Sequence, residues 1–164
     1  MPKLDVIKNK ILSGSELDRW LHVSRFKQQR IVFTNGCFDL LHPGHIQYLA
    51  KAAEMADLLM IGLNSDESVR KLKGPSRPYL NEDARALILA SLCFVSAVVL
   101  FNEETPYNLI KKVMPDVLVK GGDYKPREIV GYDIVKTNGG QVQTIEFIQG
   151  FSSTGIIEKI SGRS

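Results

Sequence analysis

Cysteine is scarce in this chain: Cys37 and Cys93 are the only two in 164 residues. Two cysteines make no disulfide framework, and their spacing fits no metal-binding pattern. A reducing compartment is the simpler setting. Histidine is nearly as rare, with three, and no His-Glu-x-x-His occurs, which excludes the common zinc-protease arrangement. No Gly-x-Ser-x-Gly occurs either, so a serine nucleophile on a strand-to-helix elbow has no support. No apolar run is long and uninterrupted enough for a membrane span, and MPKLDVIKNKIL has no signal-peptide pattern. The expectation is a cytoplasmic protein without a membrane partner. Charge of one sign is not in excess: 21 Lys and Arg against 18 Asp and Glu leave +3. That balance suits a site for phosphorylated small molecules and falls short of a dedicated nucleic-acid binder.

What remains is a regular alternation. Short apolar, β-branched runs at 30–34, 58–64, 97–101, 117–120 and 142–146 read as strands buried on both faces. Helical patterns fall between them at 44–55, 65–71, 82–92, 106–113, 126–138 and 152–160, with Asn138-Gly139-Gly140 as a helix stop. The first thirty residues also read as helical. Ser13 and Glu16 have capping-box spacing, and Leu17, Trp20, Leu21 and Phe26 form a candidate apolar stripe. Residues 1–27 are therefore taken as a packed helical extension and 28–164 as one α/β domain. Its sheet is expected to be Rossmann-like, parallel and five-stranded, in the order 3-2-1-4-5, with helices on both faces. Ligands of such sheets sit beyond the carboxyl ends of the strands.

At one such end stand two histidines, His42 and His45, bracketing Pro43-Gly44. Pro and Gly suit the first turn of a helix. That puts His42 at the helix start and His45 one turn in, both on one side. Ordinary capping would explain them. A helix N-terminus also favours anions through its free N–H groups, and two imidazole donors there suit negative charge that grows during phosphoryl or nucleotidyl transfer.

Thr34-Asn35-Gly36-Cys37-Phe38-Asp39-Leu40-Leu41-His42-Pro43-Gly44-His45 resembles the signature of the HxGH nucleotidyltransferase superfamily. Three runs downstream fit the same family: Gly62-Leu63-Asn64-Ser65-Asp66, Lys120-Gly121-Gly122-Asp123-Tyr124 and Gly150-Phe151-Ser152-Ser153-Thr154-Gly155-Ile156-Ile157. Together with Gly74-Pro75-Ser76-Arg77-Pro78, these look most like the heptose 1-phosphate adenylyltransferase branch, the nucleotidyltransferase half of bacterial ADP-heptose synthase. The likeness covers residues 28 to 161 and includes no sugar-kinase half. It implies adenylyl transfer from ATP, with Mg2+, to a sugar 1-phosphate, for surface-glycan or lipopolysaccharide synthesis. It also implies a chain that often dimerises; no nucleic-acid partner is expected, because the sequence lacks a Lys-Met-Ser-Lys-Ser loop and a strong basic stripe. A CTP-dependent glycerol-3-phosphate cytidylyltransferase is the alternative, disfavoured because Ile148-Gln149-Gly150 lacks the arginine those relatives carry. A nucleotide-binding domain without turnover is another.

The resemblance assigns roles. His42 and His45 stabilise the transferring phosphate, and Lys120 meets the sugar phosphate. Thr34, Asn35, Gly36, Phe38 and Gly44 line the nucleotide, with Gly36 admitting a phosphate close to the backbone. For Phe38, core packing is the alternative. Gly150, Ser152, Ser153 and Thr154 hold the triphosphate at the last helix start, where plain N-capping is the alternative. Asp39, Lys73, Arg77, Arg85 and Asp123 are assigned to substrate. For Asp39 the alternative is a local hydrogen bond, for Arg85 a salt bridge with Glu82 or Asp83. Asp66 is expected to cap its helix. No direct metal ligand is assigned.

Overall fold

The computed structural model describes residues 1–122, 124–146, 150, 152–160 and 162. Asp123 therefore lies outside the described residues. The strands are β1 (Ile31–Gly36), β2 (Leu58–Asn64), β3 (Val95–Phe101), β4 (Val117–Gly121) and β5 (Gln141–Ile145). They form one sheet in the order β3-β2-β1-β4-β5, and every pairing is parallel. Helices α1 (Lys3–Lys8), α2 (Gly14–Phe26), α3 (Pro43–Ala53), α4 (Asp66–Lys73), α5 (Glu82–Ser91), α6 (Tyr107–Val113), α7 (Tyr132–Thr137) and α8 (Ser153–Ile160) complete the chain.

Side-chain alternation along each strand divides the core in two. Ile31, Phe33, Met60, Val99 and Leu118 face α2, α6 and α7 through Leu17, Leu21, Ile110 and Val135. Val32, Leu59, Ile61, Val98, Val117 and Val119 face α3 and α5 through Leu49, Ala52, Ala86 and Leu89. Both faces of β1 and β2 are covered, but the edge strand β5 exposes Gln141, Gln143 and Thr144, so the expected burial on both faces fails there: it has a neighbour on one side only.

The N-terminal extension joins this core. Leu12 N–H donates to Val98 O at 2.9 Å and Val98 N–H donates to Lys10 O at 2.8 Å, so residues 10–12 cover the β3 edge, a place where unpaired backbone would invite aggregation. Glu16 accepts from the Ser13 N–H at 3.4 Å. The expected stripe fails at Phe26, which is 90% exposed. Helical phase explains it: from Leu17, Trp20 and Leu21 the next inward position is Ser24, which is buried, and Phe26 lies two residues beyond on the far side.

A second departure is at 126–138, expected as one helix. A 3₁₀ turn (Pro126–Glu128) precedes α7, and the chain breaks at Gly131, whose φ is +89°. A Cβ there would meet Ile110 Cδ1 at 2.8 Å. The close approach to α6 and the left-handed backbone both demand glycine.

Candidate active site

Pairing between β1 and β4 stops at Phe33↔Leu118, while β1 runs on beside β2 to Gly36↔Leu63. The strands part at the point where the order reverses, and a hollow of about 220 Å³ opens over their ends. Asn35, Cys37, His45, Lys73, Lys120 and Ser153 line it among others.

His42 is the N-cap of α3, in extended conformation, and its Nδ1 accepts from the His45 N–H at 3.4 Å. The two imidazoles stack, with centroids 3.8 Å apart and planes at 20°. The expected common side is therefore what the fold delivers. Burial, then His42, then Lys73 push the His45 pKa down to about 4, while the nearby Leu40 carbonyl opposes the shift. Burial also lowers His42. His45 Nδ1 is buried and has no hydrogen-bond partner among the described residues.

Two lysines supply the positive charge. Lys73, the exposed last residue of α4, lines the hollow. Lys120 comes from β4 and donates to Asn35 Oδ1 at 3.2 Å and Asn35 O at 3.4 Å. Burial lowers the Lys120 pKa, and the neighbouring Cys37 thiol opposes that. Burial raises Cys37 itself.

Ser153, at the first turn of α8, donates through Oγ to Leu40 O at 3.2 Å, joining that helix start to the histidine loop. Ser152 Oγ accepts from Gly155 N–H at 2.9 Å, the ordinary N-cap bond. Thr154 is exposed. Gly150 is exposed and left-handed, with φ +91°. Gly44 is buried in the first turn of α3.

Several expected contacts turn inward instead. Thr34 is fully buried, and its Oγ1 lies 2.6 Å from the Tyr48 hydroxyl, so it offers no surface to a nucleotide. At Gly36 a Cβ would meet the Phe38 ring at 2.9 Å: the missing side chain makes room for an aromatic ring. That ring is 8% exposed and meets His45 edge-on at 5.3 Å, which combines core packing with support of the imidazole. Asp39, 2% exposed, accepts from Arg77 Nε at 2.6 Å, Tyr79 N–H at 2.7 Å and Leu80 N–H at 3.1 Å. The local hydrogen bond is thus the arrangement found, and it latches the loop after α4 to the histidine loop. Arg77 keeps its Nη2 buried, with no partner among the described residues.

Arg85 is the largest correction. It is 1% exposed, so no substrate reaches it. Its guanidinium donates to Leu80 O, Cys37 O and Asn64 O at 2.7–3.0 Å and pairs with Asp66 at 2.7 Å. A buried arginine must spend its donors this way. Its ionic partner is Asp66, not Glu82 or Asp83, and Asp66 does not cap α4: Ser65 does, accepting from Ser68 N–H at 3.1 Å.

Tyr48, on α3, carried no functional signal in the sequence beyond its place three residues after His45. It joins Thr34 to Val119 O, 3.4 Å from its hydroxyl. Burial raises its pKa to about 12.

Comparison with known proteins agrees with this geometry. The chain is 52% identical to the Bifunctional protein HldE of Syntrophotalea carbinolica over 94% of its own length and 32% of that protein. It is 54% identical to the protein of the same name from Campylobacter concisus, over 93% of this chain and 31% of that one. It thus spans about a third of the relatives it matches. The fold is shared with a lipopolysaccharide core biosynthesis protein from Thermoplasma volcanium, at a TM-score of 0.60 and 24% identity, covering 73% of this chain and 97% of that one. A pantoate-beta-alanine ligase from Francisella tularensis shares it at 0.56 and 17%, over 92% and 76% of the two chains. The family described as Cytidylyltransferase-like matches residues 33–159, and with the HxGH histidines stacked at the head of α3, the chain belongs to that family of nucleotidyltransferases.

Proposed function

We propose that this chain transfers the adenylyl group of ATP to a heptose 1-phosphate, releasing pyrophosphate and ADP-heptose in the cytoplasm. The observation that carries the reading is the stacked His42–His45 pair at the start of α3, whose His45 lines one hollow with Lys73 and Lys120. The choice of adenylyl and heptose rests on the resemblance of the motifs. Identity near half with the HldE proteins supports it.

A phosphate oxygen of the acceptor attacks the α-phosphorus in line. The bond from that phosphorus to the oxygen bridging the β-phosphate breaks, and pyrophosphate leaves with the electron pair. The nucleophile is already ionised at neutral pH, so no general base is required. The histidines donate to the α-phosphate and the departing oxygen, where charge develops. Lys120 holds the acceptor phosphate. Beside it, a smaller hollow of about 180 Å³, lined by Pro106, Tyr124, Glu128, Ile129 and Val130, offers room for the sugar. Lys73 and Ser153 lie on the triphosphate side. Magnesium enters as Mg·ATP, carried on the phosphates. Among the described residues no group of three His, Cys, Asp or Glu side chains could hold it.

The test is pyrophosphate release with Mg2+, crossing ATP, CTP and GTP against heptose 1-phosphate, glycerol 3-phosphate and phosphopantetheine. Release confined to ATP with heptose 1-phosphate is expected. Release only with CTP and glycerol 3-phosphate would replace the substrates and keep the mechanism. Nucleotide binding without release from any pair would overturn the reading.

A further inference from the structure

The gap between β1 and β4 makes the site, and it is not held by backbone. Beyond Phe33↔Leu118 the two strands share no ladder, although β4 stays paired with β5 up to Gly121↔Ile145. Two strands diverging inside a sheet leave polar backbone that something must satisfy.

Two side-chain bridges cross that gap, one on each face. On the α3 face Tyr48, 6% exposed, places its hydroxyl 2.6 Å from Thr34 Oγ1 on β1 and 3.4 Å from Val119 O on β4. The backbone of Gly121 on β4 also bonds that hydroxyl. On the opposite face Lys120 reaches the side chain and carbonyl of Asn35. The residues alternate: Thr34 and Asn35 on β1, then Val119, Lys120 and Gly121 on β4. The Tyr48 bridge therefore grips β4 on either side of Lys120.

We infer that Tyr48 is a positioning residue, a strut that sets the width of the β1–β4 gap and so fixes where the Lys120 ammonium stands opposite the histidine pair. This rests on the functional reading above. A tyrosine serving only as core filler would not need its hydroxyl, since phenylalanine fills the same volume without a polar atom to satisfy. Here the hydroxyl is the part that spans the strands. Because α3 also carries both histidines, one rigid helix holds the imidazoles and gauges the distance to the lysine strand.

The test compares Tyr48→Phe, Thr34→Val and the double variant with the wild-type chain. Steady-state pyrophosphate release with Mg·ATP and heptose 1-phosphate is one readout, and hydrogen exchange at 117–122 and 58–64 is the other. Each single change should lower kcat/KM for the sugar phosphate about tenfold or more, the scale of a small misplacement of a catalytic group. KM for ATP should stay within about twofold, and the double variant should be no worse than the poorer single, as for two halves of one bridge. Exchange should quicken at 117–122 and not at 58–64. Constants within about twofold of wild type in both single variants, multiplying losses in the double, or unchanged exchange at 117–122 would each overturn the strut. Should Tyr48→Phe fail to fold, Thr34→Val, which leaves the ring in place, decides by the same criteria. A wild-type chain that releases no pyrophosphate refutes the functional reading instead, and the exchange result then decides whether Tyr48 spans the gap.

Discussion

Replacing Asp39 by Asn changes one atom in a largely buried polar cluster near the site. The carboxylate holds three donors: Arg77 Nε at 2.6 Å, Tyr79 N–H at 2.7 Å and Leu80 N–H at 3.1 Å. Asparagine can keep its oxygen on the two backbone N–H groups. Its amide NH2 then faces the Arg77 Nε–H, donor against donor. Breaking a fully buried ion pair costs about 3–5 kcal/mol. The Arg77 side chain is 12% exposed, so part of its charge can find water, and about 2–3 kcal/mol is the expected loss. For a chain of this size that corresponds to a Tm lower by about 4–12 °C. Urea unfolding should show the midpoint fall with the m value unchanged. The same change unlatches the loop behind Lys73, so KM for ATP should rise. A loss below about 1 kcal/mol, within the range of an exposed pair, with KM for ATP unaltered, would refute the latch. Arg77→Met added to Asp39→Asn should recover stability relative to Asp39→Asn alone, since no unpaired charge then remains buried.

Other outcomes follow from the same geometry. His42→Ala and His45→Ala should each reduce kcat by about two to three orders of magnitude, the scale of losing one electrostatic donor. Wild-type turnover in either variant would remove the histidines from the chemistry. Lys120→Ala should act mainly on KM for the sugar phosphate, and an unchanged KM would take it out of the acceptor site. The lowered His45 pKa, about 4 against an ordinary 6.5, has a definite sign in unfolding. Between those values the unfolded chain binds the extra proton, so stability rises with pH across that window and its loss is complete below pH 4. The ring is partly solvated, which limits the effect to about 1–2 kcal/mol. His45→Gln should flatten the slope of stability between pH 4 and 6.5, and an equal slope in both proteins would contradict the assignment.

Strand order, helix order and the place of the histidines were legible because they depend on local pattern. The β-branched runs specify buried strands, and Pro43-Gly44 sets the helix start between the imidazoles. Boundaries failed where a distant contact decides. Nothing near Gly131 announces that Ile110 packs against its Cα, and the sequence of α2 does not say that its inward face continues through Ser24. The site failed in one consistent direction. Thr34, Asp39 and Arg85 carry the polar groups that a substrate contact requires, and a motif cannot tell whether such a group faces ligand or protein. Burial decides: 0%, 2% and 1% exposure assign all three to the frame. Tyr48 lay hidden for the converse reason. At three residues from His45 it reads as an ordinary inward helix position, and its use depends on Val119, which is 71 residues away in the chain.

These inward polar groups explain how the site tolerates its own charge. Two imidazoles stacked at 3.8 Å would repel strongly if both were protonated, and burial already disfavours the charged form. Around neutral pH they are therefore neutral N–H donors. Among the described residues that line the hollow, permanent positive charge comes from Lys73, at the end of α4, and Lys120, on β4, while Asp39 partly neutralises the nearby Arg77. When polyanionic phosphates arrive, they raise the affinity of both imidazoles for protons. The electrostatic gain is then largest where negative charge is greatest, at the transferring and departing phosphates, which is the differential that accelerates a reaction and uniform binding does not supply.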